Sequence, residues 1–352
     1  MSAKQLKFKQ AEIVLTQACS LRCNFCFEKE WGYHVEKTIS FENLKKLVDF
    51  CNDAGVEYLF LSGGEPLLYP YLIDILKYIQ SKGYPMKPTI ATSGIQLADD
   101  GFAEELVKYG ITYIDISLKG SNVEEWKNTT GYDGYDRQML AIKKVSTLPV
   151  DFTCSMVVTM ENVQHVCDAV QVALKNGGRQ FSFTFIIDND STQTDVVEYS
   201  MSHNPQKLIS KFLTYKDRLD AITPDWWIEY SFPLCTYTTE QLKELHGKLA
   251  APCQVHTQDA ITFSPSMDLL SCDMFMNKSL GRMGKDFHTF KEFLTWRSHV
   301  QYQEEIRNLQ RLPSDKCTIC TYYPYCYGGC PVLWKHYSFS EIQSKQDNCK
   351  SN

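Results

Sequence analysis

Three cysteines near the start of the chain supply one ligand too few for a cubane iron-sulfur cluster. They lie in Ala-Cys19-Ser-Leu-Arg-Cys23-Asn-Phe-Cys26, a C-x3-C-x2-C run directly after a short apolar segment. Such clusters are normally held by four thiolates, so three leave one iron open to a small molecule and to chemistry. Taken alone, the run also suits a zinc or redox site.

The other cysteines fall into a second group. Cys317, Cys320, Cys326 and Cys330 form C-x2-C-x5-C-x3-C, with Cys253 and Cys272 before them and Cys349 after. Cys51, Cys154, Cys167 and Cys235 stand apart, and the first three read as small buried hydrophobes. Fourteen cysteines in 352 residues without an export signal point to metal ligands, because the cytosol keeps thiols reduced. The N-terminal MSAKQLKFKQ has no apolar core of a signal peptide, and no uninterrupted apolar run approaches the ~18 residues of a membrane span, so a cytoplasmic location is expected. With 36 Lys+Arg against 42 Asp+Glu and 43% apolar residues, the chain reads as a folded globular protein with neither a general nucleic-acid surface nor an anionic-membrane surface.

Positioning such ligands requires a regular frame, and residues 10 to 190 provide one. Six strand-like runs, AEIVLT, VEYLFLS, PTIATS, TYIDISL, VDFTCSMVVT and FSFTFII, alternate with amphipathic stretches. FENLKKLVDFCNDAG reads as a helix with Ser40 as N-cap and Gly55 after its end, and YLIDILKYIQSKG closes at Gly83. FAEELVKYG and VQHVCDAVQVALKNGG end at Gly110 and Gly177 in the same way. The alternation predicts a parallel sheet with loops gathered at the C-terminal strand ends, where the three-cysteine loop emerges.

At this point the residues carry a resemblance. Cys19, Cys23 and Cys26 after strand one, with Gly63-Gly64-Glu65-Pro66 after strand two, resemble the radical S-adenosylmethionine (SAM) superfamily. The resemblance implies an α/β fold, a partial (β/α)6 TIM-like barrel over residues 1–190. It implies that the amino and carboxylate groups of SAM chelate the open iron and that reductive C-S cleavage yields a 5'-deoxyadenosyl radical able to abstract hydrogen from an unactivated carbon. Phe25 would contact the adenine, Gly63 and Gly64 would allow close approach of the methionine end, and Glu65 would stabilise its amino group. Ser93, in Thr92-Ser93-Gly94, falls where the family has a ribose-side turn. Ser117 and Lys119 end strand four as further cofactor candidates; many peptide-modifying relatives carry Asp in place of Lys119, so that acid's contacts do not transfer, and Lys119 is expected to reach the SAM carboxylate, with a structural or solvated lysine as the alternative. Asn162 and Asp188 are further pocket-facing candidates, with turn or capping roles as alternatives.

The later cysteines resemble the SPASM extension of this superfamily, over 251–352, which binds two auxiliary 4Fe-4S clusters. The resemblance assigns Cys317, Cys320, Cys326 and Cys349 to one and Cys253, Cys272 and Cys330 to the other. The second is one thiolate short, with Cys235, Asp259 and His256 as candidates, and Met267 stands where the family has glycine. A zinc ribbon is the structural alternative for the four-cysteine block. Asp273, directly after Cys272, matches an acid that accepts a proton in relatives oxidising a peptidyl residue, and a carboxylate satisfied by backbone donors is the alternative. Residues 191–250, with PDWWIEYSF around Trp226 and Trp227, read as a bridge outside the regular βα pattern.

The expected function is modification of a peptide or protein residue by oxidation, cross-linking or epimerisation, as in anaerobic sulfatase-maturating enzymes and ribosomal-peptide maturases. Expected partners are that substrate, an electron donor such as flavodoxin or ferredoxin, and a separate leader-binding protein, because only 18 residues precede Cys19. A dehydrogenase or epimerase of small molecules and a non-catalytic iron-sulfur protein are the alternatives.

Overall fold

A computed structural model describes residues 8–31, 33–187, 204–229, 232–250 and 253–343. Asp188 and Cys349 lie outside the described residues. Six strands follow the expected order: β1 Gln10–Val14, β2 Tyr58–Ser62, β3 Lys87–Thr92, β4 Tyr113–Ser117, β5 Asp151–Val158 and β6 Phe181–Phe185. Each pairs in parallel with the next.

Helices cross between them. They are α1 Phe41–Asp53, α2 Leu72–Lys82 and α3 Phe102–Lys108, then α4 Val123–Thr130 with α5 Tyr135–Val145, and α6 Val166–Lys175. Ser40 caps α1 by accepting from the Asn43 amide, and left-handed Gly83 closes α2.

Alternation along the strands explains both the core and the cavity. In register, Ile13, Leu61, Ile90, Ile114 and Phe152 stand side by side, all buried. The alternating positions include many small or polar groups, among them Ser62, Ala91, Ser117, Ser155, Ser182 and Thr184. A closed barrel of this type normally fills its interior with bulky branched side chains. Here the small members of the inward row leave space unfilled, and the sheet curves around a cavity of about 780 Å3.

The sheet extends further than the six-unit reading. Pro205–Leu213 (α7) and Lys216–Ile222 (α8) lead into β7 Trp226–Ile228, which pairs in parallel with β6. The segment expected to be an irregular bridge therefore continues the βα pattern. Trp226 is buried against Phe183 and Phe212, so it belongs to the core. On the other side β8 Ala260–Phe263 adds in parallel to β1, followed by β9 Asp268–Leu270 and β10 Gly281–Arg282 in antiparallel register. One ten-stranded sheet results, in the order β10-β9-β8-β1-β2-β3-β4-β5-β6-β7. Among the described residues no helix is long and apolar enough to cross a membrane.

Candidate functional site

The three-cysteine loop leaves the C-terminal end of β1 and packs as a small core of its own. Leu21, Cys23, Ile95 and Trp126 are buried together, with Cys19, Phe25 and Cys26 against them. Helix α4 holds the loop from outside, because the Arg22 and Asn24 amides donate to the Thr130 and Thr129 carbonyls, at 2.8 and 3.0 Å, at the helix's C-terminal end. Those carbonyls have no partner within the helix, so the loop satisfies them.

Gly63 and Gly64 do their first work on this loop. A Cβ on Gly63 would lie 2.5 Å from the Thr16 carbonyl, and one on Gly64 2.6 Å from the Ala18 carbonyl. The Gly64 and Glu65 amides donate to those same two carbonyls, each at 2.8 Å. The missing side chains let strand two's end dock on the backbone leading into Cys19, which is a different contact from the close approach to SAM that the resemblance implies. Both glycines also line the cavity.

Glu65 is likewise committed. It is buried, and its oxygens accept from the Leu67 amide (3.1 Å), the Thr92 hydroxyl (2.7 Å), the Ser93 amide (2.9 Å) and the Ser93 hydroxyl (2.5 Å). A carboxylate has about four acceptor positions, and these donors fill them. Glu65 thus ties the ends of β2 and β3 together, and an ammonium ligand would have to displace one donor.

Behind that edge lies a residue the sequence reading did not single out. Gln138 of α5 is fully buried, and its amide donates to the carbonyls of Ser93 (2.7 Å) and Ser117 (2.9 Å) while its oxygen accepts from the Trp126 indole (3.1 Å). One side chain spans the ends of β3 and β4 and the support under the cysteine loop. Its sole sequence signal is a polar residue on the apolar face of a helix.

The remaining cofactor candidates converge on the cavity. Lys119 donates to the Ser117 hydroxyl at 2.8 Å and lies 5.1 Å above the Phe25 ring, leaving two of its N–H donors for a carboxylate. Phe25, Ser93, Ser117 and Lys119 all line the wall with Cys19, Cys23 and Cys26. Asn162 faces its own turn, accepting from the Thr159 amide and donating to the Val157 carbonyl. Burial pushes the Cys19 thiol up to about 11 and the Cys26 thiol up to about 12, so metal must displace protons there.

The later cysteines separate into two places. Cys253, Cys272 and Cys330 line the same large cavity as the N-terminal loop. Cys317, Cys320 and Cys326 line a separate small apolar cavity, and Cys235 lies there with them rather than beside Cys253. His256 donates from Nε2 to the Gly329 carbonyl at 2.9 Å and stacks on Tyr327. Of the three candidates for a fourth ligand to Cys253, Cys272 and Cys330, only Asp259 shares their cavity. Met267 adopts φ +66°, so the turn that glycine would favour forms regardless.

Asp273 accepts from the Cys272 thiol and from the Met274 amide, both at 2.9 Å. Burial first raises its pKa, and that of Glu12, which is held by Ser62 and Thr262. Glu28, beside Cys26, is raised to about 8 by burial and by Asp273. These carboxylates sit between the two cysteine-bearing loops, a proximity that residues so far apart in sequence do not announce. In the lumen Asp115 is raised to about 6, chiefly by burial.

The donors and the cavity fit the group that the three-cysteine motif implies: three soft thiols on a concave wall, an aromatic edge and an ammonium with N–H donors to spare. Among the described residues no three His, Cys, Asp or Glu side chains converge as ligands of a single ion. A cubane spreads its thiolates over a wider cage.

Comparison with known proteins agrees over the barrel. The Radical SAM superfamily model matches residues 13–173. A GTP 3',8-cyclase of Clostridium perfringens is 28% identical over 167 residues, 47% of this chain and 51% of that protein. The AdoMet-dependent heme synthase of Methanosarcina barkeri is 25% identical over 174 residues, 49% of each. The chain spans about half the length of these curated relatives. Among solved structures, Streptococcus suis SuiB bound to its precursor peptide SuiA superposes with TM-score 0.71 at 18% identity, over 98% of this chain and 76% of that one. Native anSMEcpe with bound AdoMet and a Kp18Cys peptide gives 0.68 at 19% identity, over 97% and 94%. At these identities the structures show a shared fold. Residues 13–173, with the cysteine loop and the parallel sheet that carries it, thus match the radical SAM superfamily.

Proposed function

We propose that the protein is a radical SAM enzyme that modifies a residue of a peptide or protein by abstracting hydrogen from carbon, in an oxidation, cross-linking or epimerisation. The observation that carries this reading is the shared cavity: Cys19, Cys23 and Cys26 occupy one part of its wall and Cys253, Cys272 and Cys330 another. An oxidisable substrate between them would have a radical source on one side and an electron acceptor on the other. The peptides bound by SuiB and anSMEcpe, of similar fold, support the substrate class.

When bound, the cluster and SAM supply a radical strong enough to break an unactivated C-H bond. The chain's own residues position and protect. Lys119 presents donors to a carboxylate over Phe25, while Glu65 and Gln138 fix the strand ends that frame the cofactor. Small inward side chains leave room for a residue of a macromolecular substrate. Asp273 takes the substrate proton, and Cys253, Cys272 and Cys330 hold one auxiliary cluster, with a second at Cys317, Cys320 and Cys326.

Anaerobically reconstituted protein should carry about 12 iron atoms per chain if three four-iron clusters form. Reduced with dithionite, it should convert SAM to 5'-deoxyadenosine and transfer deuterium from a labelled peptide into that product. Asp273→Asn should keep SAM cleavage and lose peptide product, whereas an unchanged yield removes Asp273 from the mechanism. The match to GTP 3',8-cyclases supports a second reading, a small-molecule substrate for the barrel half. Consumption of GTP with no peptide modification would establish that reading and overturn the first.

A further inference from the structure

We infer that the Tyr33 hydroxyl is a hydrogen-bond donor to the Cys26 thiolate and so tunes the reduction potential of the cluster that Cys19, Cys23 and Cys26 would hold. The inference rests on the proposed radical SAM reading of that loop. Tyr33 acts through Cys26, as a positioning residue.

Three observations carry it. The Tyr33 hydroxyl oxygen is enclosed and meets no hydrogen-bond partner among the described residues. A buried phenol normally finds one, because an unmade bond leaves its desolvation uncompensated. The group that faces it is the Cys26 sulfur, with Cys23 and Cys19 next to act on it. A thiol is a weak acceptor, whereas the thiolate that ligates iron is a charged one, so the missing bond can form once Cys26 gives up its proton.

The ring is also held in place. The Arg22 guanidinium lies 4.2 Å from the Tyr33 ring centroid, and its Nη1 donates to the Cys19 and Leu21 carbonyls at 2.8 and 2.7 Å. One side chain thereby clamps the start of the cysteine loop to the ring that stands beside its end. Finally, Tyr33 adopts φ +53°, left-handed backbone that a bulky residue enters only where its surroundings impose it. Strain and clamp together aim the hydroxyl at one sulfur. Hydrogen bonds to cluster sulfurs help set the potential, and a donor raises it by stabilising the extra negative charge of the reduced state.

The test uses the full chain reconstituted anaerobically and titrated with reductant. Electron paramagnetic resonance (EPR) follows the signal that added SAM perturbs, which marks this cluster apart from any other iron. Tyr33→Phe keeps the ring, the Arg22 contact and the backbone, and removes only the hydroxyl. It should retain the wild-type iron content while its reduced state is disfavoured about tenfold, a midpoint about 59 mV more negative for one electron. In heavy water, pulsed EPR of the reduced wild-type cluster should show a coupling to an exchangeable deuteron that Tyr33→Phe lacks. An unchanged midpoint in the variant, or the same deuteron coupling in both proteins, would overturn the assignment. Loss of the cluster from Tyr33→Phe would also overturn it, because the hydroxyl would then act in assembly and not in tuning. Wild-type protein whose iron signal does not respond to SAM would refute the radical SAM reading itself, and the assignment with it.

Discussion

The two cysteine regions are built in opposite ways. Cys19, Cys23 and Cys26 come from eight consecutive residues, packed around Leu21 and Trp126 and fastened to the end of α4. The later ligand candidates are scattered in sequence from Cys253 to Cys349, and those described sit on several different short elements. A local loop carries its geometry in its own sequence, while a dispersed set inherits geometry from everything that packs it.

That contrast can be broken from either side. The largest effect is expected at Gly64→Ala, where a Cβ would lie 2.6 and 2.7 Å from the Ala18 and Gln17 carbonyls. Displacing the strand of residues that leads into Cys19 by an ångström should cut SAM cleavage about 100-fold. Iron content should fall by about four atoms per chain while the later sites load normally. Equal loss from all sites would show that the local loop is not independent.

Gly329→Ala attacks the dispersed set. Left-handed strain and contact with Pro233 should cost about 2 kcal/mol of stability, read by denaturant unfolding of the apo protein. It should lower iron at the Cys317, Cys320 and Cys326 site while leaving SAM cleavage nearly unchanged. The smallest effect is expected at Met267→Gly. Relief of the φ +66° strain is worth about 1–2 kcal/mol. Loss of the buried Met side chain costs about 1.5–3 kcal/mol, so the variant should be destabilised by about 1 kcal/mol. A change above about 3 kcal/mol would mean that the Met267 side chain, and not its backbone, fixes the Cys272 turn.

The same division describes what could be read beforehand. The six strands, the Ser40 cap, the Gly83 stop and the cysteine loop are local patterns and appear in the sequence as they do in the fold. Strand β7 escaped because it is three residues long and sits behind two helices with no strong alternation of its own. Helices α4 and α5 make a double crossover whose signals, an Asn122 cap and left-handed Gly131, stand outside the one-helix-per-strand alternation. Gln138, the commitment of Glu65 and the proximity of Glu12, Glu28 and Asp273 depend on tertiary register, which no spacing rule reveals.

The parallel pairing of β8 with β1 bears on how such a protein can be cut or recombined. A fragment ending before residue 250 would leave the β1 edge bare, with a row of backbone donors and acceptors open to pairing with another chain. Any module exchanged for the cysteine-rich region must therefore bring a strand of its own. The half that carries the three-cysteine loop is finished only when the sequence that follows it closes its sheet.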